Sequence, residues 1–228
     1  MEDRLVGTNV PVLSISLDPG ESIVAEAGEF GWMTDSIQMS ADRRGADRGD
    51  GEAAPQLSTF TAKGTAGTIS FACRLPGNIL GVDVSPAAEY LVHQHGFVAG
   101  TSGIRVWPGF RQSFSAGIYA AEGFGLQRIS GEGRAWIEFA GEVVRLELAA
   151  GESLRTHPGH VGMFAASVAF QLMRVPGIAN PYFGPEAHHF AALSGPGPVW
   201  LQSLLSPGLT APPEALPSEA PPLSAPPS

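Results

Sequence analysis

The sequence has one lysine (Lys63) and one cysteine (Cys73), and charged residues make up only 15% of its 228 positions. Each scarcity excludes something. A lone cysteine can form neither an internal disulfide nor a cysteine-based zinc site. Set in the run TISFAC, it reads as a small core hydrophobe. Twelve arginines and one lysine face 22 acidic residues, for a net charge of −9. That sign opposes binding to a phosphate backbone or to anionic lipid, so nucleic acid is not an expected partner. No apolar run approaches the roughly 20 residues that span a bilayer. The N-terminus, MEDRLVGTNV, lacks the apolar stretch of a signal peptide. The expectation is a cytoplasmic protein without an integral membrane segment. A convincing 3.6-residue period longer than two turns is also missing, which leaves residues 111–123 and 177–192 as the places for a short helix or irregular crossing.

Glycine (29) and proline (20) are plentiful, and 43% of the residues are hydrophobic. This balance favours a turn-rich β protein. Two stretches fall outside any core. Residues 206–228 carry eight prolines, no Lys or Arg and no aromatic, which predicts a disordered tail. Residues 41–56, ADRRGADRGDGEAAPQ, hold seven charges and read as a solvated loop. Elsewhere apolar residues alternate with small or polar ones: Leu13/Ile15/Leu17, Ile69/Phe71, Val82/Val84, Ala135/Ile137/Phe139, Val144/Leu146/Leu148 and Phe170/Leu172. Period-2 alternation puts one strand face on a core and the other toward water. Turns at roughly ten-residue intervals fit a sandwich or barrel.

The chain also repeats itself. LDPGESIVAEAG (17–28) returns as LAAGESLRTHPG (148–159). GTISFA (67–72), GRAWIE (133–138) and GPVWLQ (197–202) share a leading glycine and apolar third and fifth positions. PGNILGVDVS (76–85) resembles AGEVVRLELA (140–149). The offsets point to a unit of about 65 residues written three times. The expected domain therefore covers 1–205, with subunits at about 12–75, 76–139 and 140–205 in a pseudo-threefold arrangement. Gly20-Glu21 and Gly151-Glu152 are its recurring turns. Ala87-Ala88 stands at the middle one, which weakens any catalytic reading of Glu21 or Glu152.

The runs LDPGESIVAEAGEFGWM, AEGFGLQRISGEG and LSGPGPVWLQSL resemble the mitochondrial-biogenesis family named for altered inheritance of mitochondria. The resemblance covers about residues 12–203. It implies a β-sandwich of the double-stranded β-helix group, built from units similar to the tryptophan RNA-binding attenuation protein. In fungi the family is tied to organisation of the mitochondrial inner membrane; for bacterial members it implies no established reaction and no catalytic residues. Two departures stand out. The first long loop is short and charged here, where the family has a glycine-rich, partly apolar insertion. The Gly-Gly-Glu-Gly-aromatic motif of the later repeats survives partly at Ala120–Phe124 and is eroded at Gly184–His188.

Candidate chemistry is sparse. Histidines cluster at His93/His95, His157/His160 and His188/His189. On one strand, His93 and His95 would share a face, as in the metal site of cupins. A facial metal set needs a further carboxylate, and GFVAGTSGIRV after His95 supplies none. No metal or cofactor is expected. Glu122 and Glu186, 64 residues apart, read as caps on glycine-rich turns, with a ligand or interface role as the alternative. Trp136 and Trp200 fall opposite the apolar residues of their strands and read as an outer or oligomer contact. The overall expectation is a non-catalytic β scaffold or binding module that forms a homo-oligomer, a trimer among the candidates, and contacts another protein. The alternative is a small-ligand-binding or metal-dependent cupin-like enzyme.

Overall fold

A computed structural model describes residues 1–26, 29–41, 57–112, 124–176 and 187–205. Among them the chain is all-β, and its one helical element is a 3₁₀ turn at Pro158–His160. A leading strand, β1 (Glu2–Val6), precedes three strand sets. The first holds β2 (Val12–Leu17), β3 (Ser22–Glu26), β4 (Trp32–Met33), β5 (Ile37–Ala41), β6 (Leu57–Ala62) and β7 (Gly67–Ala72). The second holds β8 (Gly77–Val84), β9 (Tyr90–His93), β10 (Phe97–Thr101), β11 (Ile104–Gln112), β12 (Phe124–Gly131) and β13 (Gly133–Ala140). The third holds β14 (Val143–Leu148), β15 (Ser153–Thr156), β16 (Val161–Ala165), β17 (Ala169–Pro176), β18 (Ala187–Ser194) and β19 (Gly197–Gln202).

The same antiparallel pairing recurs in each set. The leading glycine of the last strand always faces the end of the first: Gly67 opposite Leu17, Gly133 opposite Val84, Gly197 opposite Leu148. The turns recur as well. Glu21 accepts from the backbone N–H of Asp18 and Glu152 from that of Ala149, each at 2.9 Å. Gly20 and Gly151 adopt φ of +89° and +83°, where glycine alone carries no Cβ penalty. The middle turn closes through the Ser85 and Ala88 backbones alone. The two glutamates are therefore turn caps.

Strand pairs join the sets. β3 pairs with β10, and β9 pairs with β16, so two six-stranded sheets each take half their strands from one set and half from the next. The four sheets run β1-β2-β7-β4, then β5-β6-β3-β10-β13-β8, then β11-β12-β9-β16-β19-β14, then β15-β18-β17. Three apolar cores lie along this row. The first is built on Leu13, Ile15, Phe60 and Phe71; the second on Phe97, Ile104, Ile137 and Phe139; the third on Leu126, Phe164, Leu193 and Val199. A third junction of the same kind would pair β15 with β4. The sheets hold two junctions and leave those two edges unpaired with one another.

Most alternating positions are buried as their period requires; Leu13, Ile15, Ile69, Ala135 and Ile137 are fully enclosed. Val144 departs from this and is 52% exposed at the outer strand of its sheet. The segment 177–192 also departs from expectation. Its described part belongs to β18, a strand that pairs with both β15 and β17. Likewise β11 runs through Gln112, bent by a register shift between Pro108 and Arg111. The charged loop 42–56 and the tail 206–228 lie outside the described residues.

The tryptophan expectation is corrected. Trp136 is 1% exposed and Trp200 is 9% exposed. Their neighbours Ala135 and Val199 do face the core of their own set, as alternation requires. The opposite face is not solvent, because the shared sheet lies against the preceding core. Trp136 thus fills the first core and Trp200 the second. The Trp136 indole donates to Asp3 at 3.1 Å, and Arg145 sits 5.4 Å over the Trp200 ring.

Candidate functional site

His93 and His95 do not share a strand face, because β9 ends at His93 and His95 lies in the following turn. His93 is 4% exposed among the second-set strands, with Nε2 3.2 Å from the Glu138 carbonyl oxygen. Burial pushes its pKa down to about 4, so the ring is neutral at physiological pH. His157 and His160 meet across the 3₁₀ turn with ring centroids 5.8 Å apart. His157 Nδ1 accepts from the Gly159 N–H at 3.2 Å, and His160 Nδ1 lies 2.8 Å from the Gln202 carbonyl oxygen. His188 and His189 stand in β18 opposite Val175 and Arg174. Among the described residues no three His, Cys, Asp or Glu side chains converge as a metal cluster. Glu122 and Glu186 lie outside the described residues.

Cys73 behaves as the core hydrophobe its run suggested. It is 7% exposed, and burial, reinforced by the Glu138 charge, pushes its thiol up to about 12. Beside it, Glu138 accepts from the backbone N–H groups of Arg74 (2.8 Å) and Leu75 (3.4 Å). The Arg74 guanidinium spans Glu138 at 3.4 Å and Glu29 at 3.2 Å, and also donates to the His95 carbonyl. This cluster ties the end of the first set to the turn after β9.

Next to it lies a cavity of about 350 Å³ that brings together residues from across the chain. Glu26 closes β3; Gln94 and His95 come from the turn after β9; Phe110 and Arg111 come from the bent part of β11; Gln127 comes from β12. Gln127 Nε2 donates to Glu26 Oε1 at 3.0 Å, and Gln94 Nε2 lies 2.9 Å from His95 Nε2. Gln127 is 8% exposed, and its Oε1 has no hydrogen-bond partner among the described residues. Burial raises the Glu26 pKa; the Gln127 bond opposes that, the Glu29 charge adds to it, and His95 and Arg74 offset part of it. A carboxyl raised by burial and beside an unsatisfied carboxamide oxygen can engage a polar ligand as donor or acceptor.

Sequence reasoning did not single out Glu26, Gln94, Arg111 or Gln127. Glu26 and Gln127 lie 101 positions apart, and only the β3–β10 and β9–β12 pairings bring them together. The single local signal was a charged residue closing the apolar run SIVAE.

These features define an all-β protein of serially joined sandwiches, with a cavity of mixed polar and apolar lining beside the first junction. The chain belongs to the family described as Mitochondrial biogenesis AIM24, whose model matches residues 4–204. A crystallographically solved protein from Streptococcus pyogenes shares the fold, with a TM-score of 0.68 at 16% identity over 90% of this chain and 94% of that one. No curated protein matches this chain. No helix among the described residues is long and apolar enough to cross a membrane.

Proposed function

We propose that this protein is a non-catalytic β scaffold of the cytoplasm, built from three copies of one duplicated unit and acting through self-association and protein contacts. One observation carries the reading. Successive strand sets join by pairing strand to strand, twice, and among the described residues the outer edges of β4 and β15 pair with no strand. Open strand edges are templates for further pairing. Sedimentation equilibrium on the full chain tests it. Concentration-dependent association supports the scaffold, and a strict monomer at high micromolar concentration removes it.

The cavity around Glu26 favours a second reading, small-ligand binding. A thermal-shift panel of small amides, amines and carboxylic acids tests that reading. A hit abolished by Glu26→Gln supports it, and a ligand that ignores both Glu26→Gln and Gln127→Leu binds elsewhere. Protein purified without a histidine tag is expected to carry no stoichiometric first-row metal. Elemental analysis showing about one metal per chain, lost on His93→Ala, would revive the cupin-like enzyme.

A further inference from the structure

We propose that the partner of the open edges is a second copy of this chain, joined head to tail with β15 of one copy pairing with β4 of the next. This rests on the scaffold reading and specifies its contact. The two internal junctions share one register. Ala99, Gly100 and Thr101 face Ala25, Val24 and Ile23. Met163, Phe164 and Ala165 face Val92, Leu91 and Tyr90.

The corresponding residues at the two ends of the row follow from pairings within each set. Trp32 and Met33 pair with Ser70 and Ile69, as Ala99 and Gly100 pair with Trp136 and Ala135, and as Met163 and Phe164 pair with Trp200 and Val199. Thr156, Arg155 and Leu154 pair with Ala191, Ala192 and Leu193, as Ala25, Val24 and Ile23 pair with Ser58, Thr59 and Phe60. A third junction in the same register puts Trp32, Met33 and Thr34 opposite Thr156, Arg155 and Leu154.

An independent feature points to the same partner. At each internal junction a tryptophan from the incoming set covers the preceding core: Trp136 on the first, Trp200 on the second. In those sets the tryptophan sits on the last strand, opposite a smaller residue, Ala99 or Met163. In the first set the pair is inverted. The last strand carries Ser70, and its partner on β4 is Trp32. Large and small have exchanged places while the aromatic stays on the junction-facing side, since the alternate residue Met33 packs on the first core. Among the described residues no core packs on that side of the first set, and Trp32 is 57% exposed. At the other end, no further described strand extends β15 over the third core, where Leu154 and Phe170 are only partly buried. The exposed tryptophan and the uncovered core belong to opposite ends of the same molecule. They can meet only between copies or by closure within one chain, and β4 and β15 do not pair within the chain. A head-to-tail contact of this kind closes into a ring or continues as a filament.

Beside Trp32 the same face of the first set carries the buried Ser70, bonded to Ser14 at 2.8 Å, and Ser16, 3.4 Å from Thr68. On the other edge Arg155 stands where Val24 and Leu91 stand at the internal junctions, so the contact is less apolar than those junctions.

Single-cysteine variants of the full chain test the register. Met33→Cys and Arg155→Cys would be purified separately, mixed and oxidised; directly opposed residues lie within the Cα range a disulfide accepts. Native Cys73 is buried and does not compete. The mixture is expected to form a disulfide dimer at least tenfold faster than either variant alone, or than Met33→Cys mixed with Ser153→Cys. Trp32→Ser is expected to weaken association at least tenfold in sedimentation equilibrium. If the wild type associates but the mixture shows no preference and Trp32→Ser has no effect, self-association stands and this contact is overturned. If the wild type is monomeric throughout, both fall.

Discussion

The middle strand set and the first set use the same pairing scheme but differ in what surrounds them. The middle set has a neighbour on both sides, so both faces of β13 meet apolar cores: Ala135 and Ile137 on one side, Trp136 on the other. The first set has a neighbour on one side only. Its β7 buries Ile69 and Phe71 and turns Ser70 away from that core, where it bonds to Ser14. The third set mirrors this, with Arg155 in place of Val24 and Leu91. Terminal members of a repeat array tend to be more polar where interior members meet their neighbours, and Ser70 and Arg155 stand at two such junction-facing positions. Trp32 departs from this pattern: it is 57% exposed, on the side of β4 opposite the first core.

The comparison breaks most visibly at Trp136. Trp136→Ala should destabilise the fold by about 3–5 kcal/mol, the range for emptying a large buried aromatic site, as read by chemical denaturation. A loss under about 1 kcal/mol would mean that the first junction contributes little to the fold.

The ends of the equivalent second strands differ in the same sense, with buried His93 in the middle set and cavity-facing Glu26 in the first. The unfolded chain protonates His93 near pH 6.5, whereas the folded chain resists until about pH 4. Between those values the unfolded state holds more protons, so the stability His93 allows is complete above about 6.5 and declines as pH falls. The full decline amounts to about 3 kcal/mol at most. His93→Gln should flatten this part of a stability-against-pH curve; an unchanged curve would assign the acid sensitivity to other groups.

Glu26 runs the other way. Its pKa is raised by burial, so the folded state is favoured below the unfolded value and loses that advantage as pH rises through the folded one. Glu26→Gln keeps an acceptor for Gln127 and removes a desolvated charge. It should raise the urea midpoint slightly at neutral pH and leave it unchanged in acid. A lowered midpoint at neutral pH would show that the carboxylate is held by partners stronger than Gln127.

Ser70→Ala removes the hydrogen bond between Ser14 and the buried Ser70 and should cost about 1 kcal/mol. The smallest effect is expected at the exposed tryptophan. Trp32→Ala in dilute protein should change stability by no more than about 0.5 kcal/mol, against the several kcal/mol expected at Trp136. A large loss in the monomer would show that Trp32 supports its own set.

Much of the fold was legible in local patterns. Leu13/Ile15/Leu17 and Ala135/Ile137/Phe139 alternate because a strand offers one face to a core, and that constraint is written every second residue. Gly20-Glu21 and Gly151-Glu152 were legible because a tight turn needs a residue free to take positive φ and a side chain to satisfy the backbone behind it. The cavity was not legible. Glu26, Arg111 and Gln127 carry no shared spacing with His95, and each taken alone is an ordinary polar residue of a strand.

What the sequence determined by itself was the strand, the turn and their recurrence, because these depend on neighbours within a few residues and on a unit written three times. What only the tertiary structure decided was which face of a strand meets water. Trp136 and Trp200 alternate out of one core and into the next, since β3–β10 and β9–β16 pairing makes two sandwiches share a sheet. Period-2 alternation distinguishes the two faces of a strand; only the packing of one sheet between two others makes both of them interior.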